Sequence, residues 1–165
     1  ATLFVVSESV KRQTNGSMSA ETLKELLRSG EIIVASHSQT HPLLSQLSEE
    51  QIKSEVEGSK ADLEALLGIP IHYFAYPSGD LNGRIIKIAE ESGYRLAFTT
   101  SYKKLTTVPE GPYALTRVKI SRSSDNLLVF WFKISGIYRF LKQERHKLKL
   151  KFNGRTLAGQ KKRVR

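Results

Sequence analysis

The feature that most constrains this chain is a regular alternation of two patterns. Short β-branched and aromatic runs alternate with longer stretches whose apolar residues recur at helical spacing. The chain opens with Ala1-Thr2-Leu3-Phe4-Val5-Val6, a buried-strand pattern with no preceding cap or leader, which reads as the interior of a longer fold. Ser19 then caps a helix carrying Leu23, Leu26 and Leu27 that ends at Ser29-Gly30, and Glu31 to Ser36 returns to strand. An amphipathic helix from Ser48 carries Ile52, Val56, Leu63, Leu66 and Leu67 to Gly68-Ile69-Pro70, with acidic residues in its first turn where the helix dipole favours them. The pattern continues with a strand from Ile71 to Tyr76, a helix from Asn82 to Ser92, and strands from Tyr94 to Thr99 and from Tyr113 to Ile120. A very apolar helix then runs from Asp125 to Leu141. Strands alternating with helices predict an α/β fold on a parallel sheet, open or closed as a barrel, with function at the strands' C-terminal ends.

Composition limits the partners. The chain has 165 residues, 39% of them hydrophobic and 25% charged, which is enough to bury one core and too apolar for disorder. No uninterrupted apolar run approaches the ~20 residues of a membrane-spanning helix. The absence of cysteine excludes thiolate metal sites, cysteine nucleophiles and disulfides. The net charge of +10 is localised: residues 1–138 hold 15 basic and 15 acidic residues, whereas residues 139–165 hold 11 and one. The reading is a globular domain over residues 1–141 with a basic tail over 142–165. Such a tail suits an electrostatic tether to anionic lipid, an anionic polymer or nucleic acid. Beside the apolar helix it suggests an anionic membrane surface, unless Leu127, Trp131, Ile134 and Tyr138 instead close the fold.

Two segments at predicted strand ends could carry chemistry. Ser36-His37-Ser38-Gln39-Thr40-His41-Pro42 holds two of the four histidines, and imidazoles four residues apart can share a divalent ion if the backbone turns back. The competing reading makes them polar loop residues hydrogen-bonded with Ser36 and Thr40. In Phe74-Ala75-Tyr76-Pro77-Ser78-Gly79-Asp80, Pro77 and Gly79 enforce a tight turn. That turn either presents backbone N–H groups to an oxyanion, with Tyr76 or Ser78 lining a groove, or is a plain connection whose helix is capped by Asp80 or Asn82.

In this order, A-T-L-F-V-V, I-V-A-S-H-S-Q-T-H-P and F-A-Y-P-S-G resemble the NodB-like polysaccharide deacetylases of carbohydrate esterase family 4, over roughly residues 1–122. The resemblance implies a distorted (β/α) barrel, incomplete at its N-terminus, and hydrolysis of acetamide groups on an N-acetylglucosamine-containing polysaccharide. It also implies a cell-envelope or extracellular setting. S-H-S-Q-T-H-P matches the family's metal motif, which implies that His37 and His41 bind a divalent metal, usually zinc, with Ser38 and Thr40 supporting them. F-A-Y-P-S-G matches the third motif and implies an oxyanion donor at the Ser78 N–H with Tyr76 beside it. The departures are equally specific. Many members have an arginine where this chain has Ala75 and an aromatic where it has Ser78. The T-F-D-D-G motif, source of the catalytic base and an aspartate ligand, has no counterpart in these residues. No L-x-H motif supplies a general acid: Arg117-Val118-Lys119-Ile120 occupies the expected late strand, His72 reads as a strand-edge residue, and His146 belongs to the tail. The chain alone is therefore expected to have little or no activity. The alternative is a non-catalytic glycan-binding or partner module with a groove around Tyr76, Ser78 and Tyr94. A nucleic-acid role rests on the tail alone and ranks last.

Overall fold

The computed structural model describes residues 1–14, 16–100, 111–117 and 126–135. The chain divides into two compact units, Ala1–Arg117 and Val118–Arg165. The boundary expected between residues 141 and 142 lies outside the described residues, as do His146 and the basic tail.

In the first unit the strands are β1 (Thr2–Val5), β2 (Ile33–Ser36), β3 (Tyr73–Ala75), β4 (Leu96–Thr99) and β5 (Leu115–Thr116). They form one parallel sheet in the order β1-β2-β3-β4-β5. Each new strand joins the side of the last without reversal, as in a (β/α) barrel and unlike a doubly wound sheet. The fold is thus an α/β arrangement with the topology of an incomplete barrel. The late strand, expected from Tyr113 to Ile120, is seen at Leu115–Thr116, and residues 118–120 lie outside the described set.

The helices are α1 (Ser7–Lys11), α2 (Ala20–Arg28), α3 (Glu49–Leu67) and α4 (Gly83–Glu91). Ser19 caps α2 by accepting from the Thr22 N–H. Ser48 and Gln51 form a reciprocal capping box on α3, whose end is set by Gly68 at φ 71°. Asn82, not Asp80, caps α4 by accepting from the Ile85 N–H. These helices bury Leu23, Ile52, Val56, Leu63, Ile85 and Ile88 against one face of the sheet, which contributes Val34, Phe74, Tyr76 and Ala97 to the same core.

Side chains alternate across a strand, so the other face of the sheet carries a different set. Ser36 faces α3, where its hydroxyl lies 2.6 Å from the Ser59 hydroxyl. His37, one residue on, therefore faces the opposite side with Phe4, Ala75 and Phe98. Phe4 meets Phe98 edge-on at 5.6 Å and His37 at 6.4 Å between ring centroids. Tyr73, Phe98 and Leu115 on this inner face are only half-buried.

In the second unit the apolar segment forms α5 (Leu127–Ile134), capped by Asn126, which accepts from the Leu128 N–H. Residues 136–141, expected to extend it, lie outside the described set. Leu127, Leu128 and Trp131 are exposed, at 78%, 76% and 59%. Among the described residues no helix is long and apolar enough to cross a membrane.

Candidate functional site

The β2 strand delivers His37 to the sheet's C-terminal rim, where its N–H donates to the Val5 carbonyl at 2.8 Å. Its ring Nδ1 lies 2.7 Å from the Ala75 carbonyl oxygen, at the end of β3. A carbonyl can only accept, so Nδ1 carries the proton and Nε2 presents its lone pair. This is the tautomer in which imidazole ligates a metal while its other nitrogen is held by the protein. Burial pushes the His37 pKa down, and the charges of His41 and Arg117 add to this against the opposing Ala75 hydrogen bond, so the neutral ring is favoured.

His41 is returned to His37 by a loop that doubles back. Ser38 and His41 both adopt left-handed backbone, at φ 66° and 63°, and the His41 N–H donates to Ser38 Oγ at 2.9 Å. The two imidazoles end 4.8 Å apart between centroids at an interplanar angle of 76°. The backbone reversal that shared metal binding requires is therefore present. Neither Ser38 nor Thr40 supports an imidazole directly: Ser38 holds the turn, and the Thr40 hydroxyl donates to Glu55 Oε1 at 2.6 Å.

The loop's supports come from α1 and α3 and were not singled out in the sequence. Glu55 Oε2 accepts from the Gln39 and Thr40 N–H groups, each at 2.9 Å. Asp62 accepts from the Gln39 side-chain amide at 3.0 Å, Ser7 Oγ at 2.9 Å and Lys11 Nζ at 3.0 Å. Burial pushes the Asp62 carboxyl up, but these donors outweigh it and hold it below its ordinary value. The Ser7 and Glu8 N–H groups donate to the Ser38 and Gln39 carbonyls. Glu55 and Asp62 stand seven residues apart, hence on one face of α3, and Gly58 lies between them on that face. A Cβ at Gly58 would lie 2.6 Å from the Gln39 Nε2, so only glycine lets the loop side chain lie where it does. The seven-residue spacing was the available sequence signal, but acidic residues on a helix ordinarily mark a solvated face.

The second segment forms a 3₁₀ turn at Pro77–Gly79 with Ser78 exposed at φ 53°. The Gly79 and Asp80 N–H groups are taken by the Tyr76 and Pro77 carbonyls, whereas the Ser78 N–H makes no hydrogen bond to the described residues. The turn is anchored below by Thr99 Oγ1, which donates to the Gly79 carbonyl at 3.0 Å, and by buried Asp80, which accepts from the Ser45 N–H at 2.6 Å. Ser78 is thus carried on the segment that also holds His37 through Ala75.

Tyr76 is not brought to the histidines. It shares the helix-facing side with Phe74, is fully buried, and its hydroxyl donates to the Tyr113 carbonyl at 2.8 Å, with burial driving its pKa strongly upward. Tyr94 is also buried there, its hydroxyl donating to the Val56 carbonyl at 2.9 Å and its pKa pushed up to about 12, chiefly by burial. His72 packs on Tyr73 at a centroid distance of 6.3 Å.

The two imidazoles suit a divalent ion by donor chemistry and by the tautomer imposed on His37. Among the described residues no third His, Asp or Glu joins them.

A parallel sheet in barrel order with an H-S-Q-T-H-P loop at its C-terminal rim defines a polysaccharide deacetylase-like domain. The polysaccharide deacetylase family model matches residues 1–97, and the chain belongs to that family. It is 31% identical over 121 residues to a Bacillus subtilis (strain 168) protein named "Putative polysaccharide deacetylase YxkH", covering 73% of this chain and 42% of that protein. Among solved structures it is similar to BC0361, a polysaccharide deacetylase from Bacillus cereus, at 27% identity and a TM-score of 0.70, covering 81% of this chain and 41% of that one. It is also similar to the Streptococcus pyogenes deacetylase PplD in complex with acetate, at 26% identity and a TM-score of 0.65, covering 73% and 52%. The chain therefore spans about half or less of the length of these relatives.

Proposed function

We propose that these residues form part of a metal-dependent N-deacetylase acting on a polysaccharide that contains N-acetylglucosamine. The observation that carries this reading is the His37–His41 pair at the end of β2, with the Ala75 carbonyl leaving Nε2 of His37 open. His37 and His41 are the two histidine ligands, and zinc suits this pair of neutral imidazoles. When bound, such an ion supplies Lewis-acid activation of an acetamide carbonyl and of water. The loop residues Ser38, Gln39 and Thr40 hold the imidazoles together. Ser78 offers its N–H, which has no hydrogen-bond partner among the described residues, to the negative charge that develops on the carbonyl oxygen.

Among the described residues neither a base nor an acidic ligand joins this constellation, so the chain alone is expected to bind metal and sugar with little hydrolysis. Two imidazoles are fewer than the three protein ligands usual for catalytic zinc. The same observation favours a second reading, a non-catalytic glycan-binding module. Incubation with N-acetylglucosamine oligomers, with and without zinc, separates these readings through acetate release and oligomer binding. The proposal expects zinc-dependent binding that is lost in His37→Ala, with little acetate. Zinc-independent binding would favour the module, and strong acetate release would refute the missing base.

Action on such a polymer suits the cell envelope or the extracellular space. The exposed Leu127, Leu128 and Trp131, followed in sequence by the basic residues 142–165, support contact with an anionic membrane surface. Co-sedimentation with anionic liposomes should fall when the chain is ended at Ser135, and equal binding would refute the contact.

A further inference from the structure

Helix α3 offers the histidine loop one continuous face. Glu55, Gly58, Ser59 and Asp62 recur three and four residues apart, so they line up on one side of the helix. Ser59 meets Ser36 at the end of β2, and Glu55 takes the Gln39 and Thr40 N–H groups. Gln39 itself lies between the two left-handed residues of the loop, Ser38 and His41. Its side chain crosses α3 at Gly58, where a Cβ would come within 2.6 Å of Nε2, 2.7 Å of Cδ and 2.8 Å of Oε1, the whole of the amide group. Nε2 donates to Asp62 Oδ2 at 3.0 Å; the same oxygen accepts from Ser7 Oγ at 2.9 Å, and Oδ1 accepts from Lys11 Nζ at 3.0 Å. Asp62 thus ties the loop to α1, whose Ser7 and Glu8 N–H groups hold the Ser38 and Gln39 carbonyls. A loop attached to α3 at Glu55 alone could pivot about that carboxylate. A second attachment at Asp62, about 10 Å farther along the helix axis, resists the pivot.

We propose that Gln39 is a positioning residue for the histidine pair: its amide, seated over Gly58 and held by Asp62, keeps His41 turned back against His37. Gly58 contributes by having no side chain where the amide lies. The inference rests on the reading of His37 and His41 as paired ligands, and one arm of its test uses metal-free protein so that the two can fail separately.

Gly58→Ala in the full chain is the experiment, because the added methyl displaces the end of a flexible side chain and leaves the backbone contacts of the loop in place. Alanine is the better helix former, so the urea midpoint should stay level or rise. In the metal-free protein the nuclear Overhauser contact between the His37 and His41 rings, whose centroids stand 4.8 Å apart, should weaken. Zinc affinity by calorimetry should fall about fivefold, the effect of losing one hydrogen bond to a carboxylate that water partly replaces. Gln39→Ala should lower affinity by a similar factor, and adding Gly58→Ala to it should cost nothing further, since the group that the methyl displaces is gone. An unchanged ring contact in Gly58→Ala would overturn the proposal. So would a loss of affinity that only tracks a fall in the urea midpoint, or an equal further loss when Gly58→Ala is added to Gln39→Ala. If the wild-type chain takes up no zinc, the ligand reading fails and the ring contact alone decides the role of Gln39.

Discussion

Glu55 is the strongest single support of the histidine loop, and Glu55→Ala tests whether that loop is built by α3. The substitution removes acceptors for two backbone N–H groups and the Thr40 hydroxyl, at 2.9, 2.9 and 2.6 Å. Hydrogen bonds to a charged group contribute about 1.5–3 kcal/mol each when well shielded; this cluster is half-exposed and water can replace part of it, so the net loss is about 2–3 kcal/mol. The loop has reason to relax without Glu55, because left-handed backbone at Ser38 and His41 costs roughly 1–2 kcal/mol per residue. Restoring the loop on metal binding then costs about 2 kcal/mol, or ~30-fold in zinc affinity. Thr40→Val removes the hydroxyl bond alone and should cost ~1 kcal/mol, about fivefold. Urea unfolding reads the stability change and calorimetric zinc titration the affinity. A Glu55→Ala protein with unchanged urea midpoint and zinc affinity would refute the support argument. Lost stability with unchanged zinc affinity would show that the bonds exist but do not organise the imidazoles.

Three further outcomes follow from the geometry. Burial first, then His41 and Arg117, set the His37 pKa below its ordinary 6.5, so the unfolded chain takes up this proton more readily than the folded one. The metal-free protein should keep its full stability above about pH 6.5 and lose some as pH falls below it; His37→Gln should flatten that part of a urea-midpoint profile, and an unchanged slope would contradict the assignment. Tyr76→Phe removes the buried bond to the Tyr113 carbonyl and leaves that acceptor short of a donor, costing ~1–2 kcal/mol on urea unfolding while zinc affinity stays constant; a large loss of zinc affinity would place Tyr76 in the site after all. Gly68→Ala meets no atom within 4 Å, so its cost is the left-handed backbone at φ 71°, about 1 kcal/mol by thermal unfolding, and a neutral effect would contradict that conformation.

The architecture was largely legible in the sequence because it rests on local signals. Ser19, Ser48 and Gly68 mark helix ends by chemistry that involves only neighbouring residues, and the repeated strand–helix pattern suffices for a parallel sheet. Helix α1 was missed because five residues are too short to show a period. The order β1-β2-β3-β4-β5, which distinguishes barrel topology from a doubly wound sheet, is a long-range property. At the site, the two histidines were visible through their spacing, but the tautomer depends on Ala75, 38 residues away. The position of Tyr76 depends on strand parity: Phe74 and Tyr76 share a face, and in a sheet with apolar residues on both sides nothing local tells which face meets the helices. Arg117 reads as an ordinary strand-end charge until Phe4, more than a hundred residues earlier in the sequence, is placed beneath it.

His37 and His41 are proposed above as a metal-binding pair. Zinc titration calorimetry on the full chain tests it, comparing the wild-type sequence with the double variant His37→Ala, His41→Ala and using circular dichroism to confirm that both are folded. A metal-binding pair predicts stoichiometric zinc binding by the wild-type chain and its loss in the folded double variant. No zinc uptake by the wild-type chain, or equal uptake by the folded double variant, would contradict it.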